Sequence, residues 1–120
     1  MSKLWLNLAL VAAVACVNGC KAPECPPLAK PWKGFEKSSG FDVDTCAKDN
    51  TFAKHGHYTA RFHKTKQKAM EGLYNEDVRV GLWHAWKRSG SYDLAVCYDD
   101  KGVELWRESD EAKAKARACP

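Results

Sequence analysis

Gly81-Leu82-Trp83-His84-Ala85-Trp86-Lys87-Arg88-Ser89-Gly90-Ser91-Tyr92-Asp93-Leu94-Ala95-Val96-Cys97-Tyr98 decides the fold. Its first part places Trp83 and Ala85 on one side of an extended chain and Leu82 and Trp86 on the other. Arg88-Ser89-Gly90-Ser91 is turn material. Tyr92, Leu94, Val96 and Tyr98 then alternate again. Two alternating runs joined by a short Gly/Ser turn read as an antiparallel hairpin.

The pattern extends both ways. Upstream, His57-Tyr58-Thr59-Ala60-Arg61-Phe62-His63 turns Tyr58, Ala60 and Phe62 one way and the polar residues the other. Lys64 to Gln67 is a turn, Lys68 to Tyr74 a second strand, and Asn75-Glu76-Asp77 a second turn leading into the Val78 to Lys87 strand. Downstream, Asp99-Asp100-Lys101-Gly102 is a hairpin turn in which glycine supplies a positive φ, and Val103 to Arg107 is the return strand. Ser109 is placed to cap a last helix over Asp110 to Ala118, with Asp110 and Glu111 in its first turn. The expected class is mainly β: an antiparallel meander of hairpins with one short C-terminal helix.

The chain has 120 residues, 45% hydrophobic and 28% charged, with a net charge of +4. That composition excludes disorder and coiled coil, and the charge is too small for a general nucleic-acid binder. Residues 1–19 have the layout of an export signal: Lys3, then an apolar run from Leu4 to Ala15, then small residues. Val17-Asn18-Gly19-Cys20 resembles a bacterial lipobox, which makes Cys20 the expected lipidation site and the bacterial envelope the expected location. The alternative is cleavage after Ala13-Val14-Ala15, which gives a secreted chain beginning at Cys16. Residues 20–45, with Pro23, Pro26, Pro27 and Pro31, are expected to form a tether. Trp32 and Phe35 lie within it. Residues 46–107 form the β domain, and residues 108–120 the helix and tail.

Export implies an oxidising compartment. With Cys20 lipidated, Cys25, Cys46, Cys97 and Cys119 remain, and they allow three pairings. The pairing favoured here is Cys25–Cys46 beside the tether and Cys97–Cys119 between sheet and tail. No C-x-x-C occurs. Cys97 and His84 are potential neighbours in the sheet, but nothing around them marks a nucleophile.

A repeat underlies the strands. Gly56-His57-Tyr58 recurs as Gly81-Leu82-Trp83 and again as Glu104-Leu105-Trp106; Glu71-Gly72-Leu73-Tyr74 recurs as Ala95-Val96-Cys97-Tyr98. Over about residues 54–106 this resembles the MORN-repeat-variant family, whose units read G-x-W-x-x-[YW]-x-x-x-G and then E-G-x-Y. Gly81, Trp83, Trp86 and Gly90 match the first half, Glu71-Gly72-Leu73-Tyr74 the second, and Lys54-His55-Gly56 looks like a unit junction. Thr65-Lys66 stands where the first unit has its turn glycine, Ala95-Val96 replaces Glu-Gly, and Glu104 replaces the third glycine. The resemblance implies a single-layer hairpin array with a binding or scaffolding role and no catalytic residue.

Between Asn50 and Met70 there is no acidic residue. His57, Arg61, His63, Lys64, Lys66 and Lys68 are therefore the candidate binding surface, suited to an anionic membrane or envelope polymer, or to an envelope protein. Nucleic acid is excluded by export. His55, His57 and His63 share a strand face, but no carboxylate or cysteine stands close by in sequence, so neither a metal nor a cofactor is expected. There is no phosphate loop, H-E-x-x-H or G-x-S-x-G, so no catalytic residue is named. The function expected is that of a non-enzymatic, lipid-anchored envelope binding module. The alternative is a soluble, disulfide-stapled secreted effector or inhibitor.

Overall fold

Alternating side chains and tight turns leave each strand next to its sequence neighbour, and the computed structural model, which describes residues 24–120, has this arrangement throughout. The strands are β1 (Ala29–Glu36), β2 (Phe41–Lys48), β3 (Lys54–Phe62), β4 (Lys68–Asn75), β5 (Val78–Trp86), β6 (Tyr92–Tyr98) and β7 (Glu104–Glu108). They form one sheet in the order β1 to β7, each antiparallel to the next. A short helix, α1 (Glu111–Ala116), follows. The fold is thus mainly β, an antiparallel meander with a C-terminal helix. The signal segment and Cys20 lie outside the described residues.

Residues 29–45, expected in the tether, form β1 and most of β2 instead. Their prolines obscured the strand. Pro31 lies on β1, an edge strand that pairs only with β2, and an edge position tolerates the missing N–H.

The turns show where chain chemistry and geometry meet. In the β3–β4 turn the Lys66 N–H donates to the Phe62 carbonyl at 2.8 Å, and Lys66 takes φ 62°. Gly90 takes φ 91° in the β5–β6 turn. Lys66 therefore adopts the left-handed conformation in the turn where the repeat pattern has lost its glycine. In the β6–β7 turn Asp99 Oδ1 accepts from the backbone of Lys101 and Val103, at 2.9 and 2.8 Å.

Register sorts the side chains onto two faces. Val43, Ala60, Met70, Ala85 and Leu94 follow one another across β2 to β6, with Thr45, Tyr58 and Gly72 in the neighbouring row. This is the aromatic face. Its buried centre is Val43, Tyr58, Ala60 and Trp83, flanked by Phe41, Met70, Tyr74 and Tyr98. No second layer covers it among the described residues, so its rings bury one another. Tyr58, Tyr74 and Trp83 lie 5.0–5.6 Å apart, centroid to centroid, in tilted and edge-on contacts.

Gly72 makes this possible. The Trp83 indole lies across β4, and a Cβ on Gly72 would sit 2.2 Å from Trp83 Cδ2. The indole N–H donates to the carbonyls of Leu73 and Val80, at 3.1 and 3.2 Å, so its polar atom is satisfied although Trp83 is buried.

The opposite face carries Asp44, Thr59, Glu71, His84, Ala95 and Glu108 in one row. Both disulfides belong to it, and they are Cys25–Cys46 and Cys97–Cys119. The second ties the tail to β6. Asp110, not Ser109, caps α1: its carboxylate accepts from the Lys113 N–H at 3.0 Å, and the helix is shorter than expected. Ala114 is buried, the Trp106 indole donates to the Ala118 carbonyl at 3.0 Å, and the Arg117 guanidinium lies over the Trp106 ring.

Candidate functional site

The basic stripe expected to bind an anion meets acids from neighbouring strands. Asp42 of β2 accepts from His63 at 2.8 Å and from Lys66. The hydrogen bonds from Lys66 and His63 hold its carboxyl below the ordinary value. Asp44, also on β2, lies 3.4 Å from His57 Nε2, and Lys68 pairs with Glu71 at 3.0 Å. Arg61 donates to the Lys66 carbonyl at 3.2 Å, and Lys64 is exposed in the turn. This part of the acid-free run is thus faced by acids because β2 pairs with β3 and Glu71 lies on β4.

The histidines are spread by the same pairing. His55 accepts from the Glu76 N–H at 3.2 Å, while His57 and His63 meet different aspartates. His84 lies beside the Trp86 ring. Among the described residues no three His, Cys, Asp or Glu side chains converge to hold a metal ion. His84 pairs with Ala95 and Cys97 with Leu82. The histidine that reaches a cysteine is His57, whose Nδ1 is 3.4 Å from Cys46 Sγ.

The aromatic face offers a different site. An open groove of about 190 Å³ runs between β4 and β7, lined by Met70, Trp83, Leu94, Val96 and Tyr98 with Arg79 and Arg107. Arg79 lies with its guanidinium carbon 4.6 Å from the Trp83 ring centroid. Burial lowers its pKa, but hydrogen bonds to the Tyr74 and Tyr98 phenols outweigh that, so it stays above the ordinary value. No carboxylate pairs with Arg79 among the described residues. Arg107, by contrast, is bridged to Glu104 at 2.8 Å.

Lys54 completes the pattern from the other side. Its Nζ lies 5.2 and 5.4 Å from the Tyr58 and Tyr74 rings and 3.1 Å from Glu36. Tyr58 titrates late, at about 12, because burial and the nearby Glu36 charge oppose its anion. Tyr58 therefore stays neutral across the ordinary pH range.

Sequence reasoning passed over Arg79 and Arg107. Arg79 was legible: it has the same parity on β5 as Gly81, Trp83 and Ala85, which puts it on the aromatic face. Arg107 was not, because its place opposite Val96 depends on the register of β6 with β7. Comparisons with protein-family models, curated proteins and solved structures find no match.

Proposed function

We propose that this chain is a non-enzymatic binding or scaffolding module of the bacterial envelope, exported by residues 1–19 and held at the membrane by lipid on Cys20. Its aromatic face takes an anionic envelope polymer. The observation that carries this reading is Arg79: a partly buried cation, partnered by phenols and an indole, at the edge of an uncovered apolar groove. A phosphate or carboxylate arriving there would gain a charge-assisted hydrogen bond, which is stronger than a neutral one. The apolar lining would receive the polymer's less polar backbone. The MORN-variant assignment is part of the same proposal. It is supported by Gly72 and Trp83 packing together on β4 and β5 and by the turn conformations of Lys66 and Gly90.

The test is binding of the purified chain to a poly(glycerol phosphate) and to a polyuronate, with Arg79→Met beside the unaltered protein. We expect Arg79→Met to weaken binding about tenfold, the loss of roughly one charged hydrogen bond, and Lys66→Met to leave it nearly unchanged. Equal losses in both variants would favour the basic stripe and overturn the groove. The mass of the mature chain tests the anchor. A start at Cys20 with added acyl mass supports it, and an unacylated start at Cys16 supports the secreted alternative.

A further inference from the structure

The two disulfides close loops of similar length but sit in different chemistry. Cys46 is fully buried. Its sulfur lies 3.4 Å from His57 Nδ1, and His57 Nε2 lies 3.4 Å from Asp44 Oδ1. The Thr45 hydroxyl donates to the His57 carbonyl at 2.7 Å, which ties that residue's backbone to β2. A sulfur, an imidazole and a carboxylate therefore stand in line. Cys25, the other half of the bridge, is partly exposed. Cys97 is as buried as Cys46, but the group nearest its sulfur in hydrogen-bond terms is the Tyr98 carbonyl at 4.0 Å. No histidine is hydrogen-bonded to that second bridge among the described residues.

We propose that Cys25–Cys46 is a thiol–disulfide exchange site, at which Cys25 accepts an incoming thiolate and Cys46 departs onto His57. The thiolate of a small thiol or a protein dithiol attacks Cys25 Sγ and forms a new S–S bond with it. The Cys25–Cys46 bond breaks, and its electron pair goes to Cys46 Sγ. Protonated His57 then donates through Nδ1 to that thiolate, while its Nε2–H faces the Asp44 carboxylate. With a dithiol, the second thiolate attacks the reductant's own sulfur in the mixed disulfide. Cys25 is released as a thiolate and the reductant is oxidised to its disulfide. Two electrons pass from the dithiol to the bridge.

Two observations fix the direction of attack. Exposure makes Cys25 the reachable sulfur. A neighbouring imidazolium lowers the pKa of a thiol, and a lower leaving-group pKa speeds departure, which makes Cys46 the better leaving sulfur. The charged group in contact with His57 is Asp44, and Lys33 of β1 lies 3.7 Å from its other oxygen. Glu71 of β4 and His84 of β5 line the groove that His57 borders. Asp44 is the nearest of these groups to the imidazole.

The experiment uses the full oxidised chain. Limiting dithiothreitol is followed by acid quench, alkylation and peptide mapping, and reduced glutathione is used in parallel to trap mixed disulfides. We expect Cys25–Cys46 to open about tenfold faster than Cys97–Cys119, as a better leaving thiolate requires. Glutathione should be found on Cys25. His57→Gln should slow opening of the first bridge several-fold and leave the second unchanged. If His57→Gln does not fold, Asp44→Asn carries the same expectation. In Cys25→Ala, the Cys46 thiol should ionise below the ordinary value of about 8.5, read from its rate of alkylation against pH. Equal opening rates for the two bridges, glutathione on Cys46, or an unchanged rate in His57→Gln would each overturn the proposal.

Discussion

The two faces of this sheet meet the same shortage by different means. With no second sheet on either side among the described residues, a core must come from something other than layers. The aromatic face makes one sideways: Trp83 lies over Gly72, Tyr58 and Tyr74 lean on Trp83, and Lys54 and Arg79 close the ends. The other face relies on covalent bonds and ion pairs: two disulfides, the docked helix, and Asp42 and Asp44 against lysines and histidines. Ring packing spans β3, β4 and β5, the three strands at the middle of the sheet. A disulfide or an ion pair holds only the elements it joins. Damage to the aromatic face should therefore be global, and damage to the other face local.

The largest effect expected tests the global half. Gly72→Val puts a side chain where the Trp83 ring lies, at a distance no rotamer relieves. Trp83 must leave a site where it is 2% exposed. The cost should approach that of deleting a buried aromatic, about 3–5 kcal/mol, read as a lower urea midpoint. Trp83→Ala should cost about the same. The double variant should cost little more than either, because both changes remove one packing arrangement. A Gly72→Val loss under about 1 kcal/mol, the size of an ordinary surface change, would break the comparison.

The next effect tests the local half. Replacing Cys97 and Cys119 together by alanine removes the bridge that holds the tail, and a bridge of this kind contributes about 2–4 kcal/mol. Its loss should be confined. Amide exchange should speed up in α1 and β7 while β3, β4 and β5 keep their protection. α1 has six residues, too few to persist unsupported. Loss of protection across the whole sheet would show that the tail is part of the common core.

Much of this was legible before the structure. Alternation gave the strands from β3 to β7, because a sheet with one apolar face writes a period of two into its residues. The cysteine pairing favoured from the sequence, one of three possible, is the one the structure has. What was not legible has two causes. Pro31 and the nearby prolines mimic a linker, and only pairing with β2 shows that β1 is an edge strand. The charge pattern misled for a related reason. The run from Asn50 to Met70 looks purely basic in one dimension, but Asp42 and Asp44 arrive beside it from β2, so the stripe is far less positive than its sequence. Arg79, which pairs with no carboxylate among the described residues, sits between apolar residues in Val78-Arg79-Val80, where a search for charge clusters passes it by.

The smallest effect separates the faces by pH. Asp42, Glu36 and Glu76 are all held below their ordinary values. Lys66 and His63 act on Asp42, and Lys48 acts on Glu76; at Glu36 burial works the other way and is outweighed by Ser39 and Lys54. For such groups the unfolded chain binds more protons than the folded one as pH falls. Their contribution is therefore present above the unfolded values, 3.8 for Asp42 and 4.5 for the glutamates, and is lost as pH falls through the lower folded values. Asp42→Asn should lower the melting temperature slightly at pH 6–7, and the difference from the unaltered chain should close as pH falls through the lowered Asp42 value. Added salt should shrink it further, since exposed pairs are screened. The deficit of Trp83→Ala should change less with pH over that range than that of Asp42→Asn, because Glu36, which titrates there, reaches the rings through Lys54. If instead both deficits close together in acid, the rings depend on the ion pairs behind them, and the two faces are one cooperative unit.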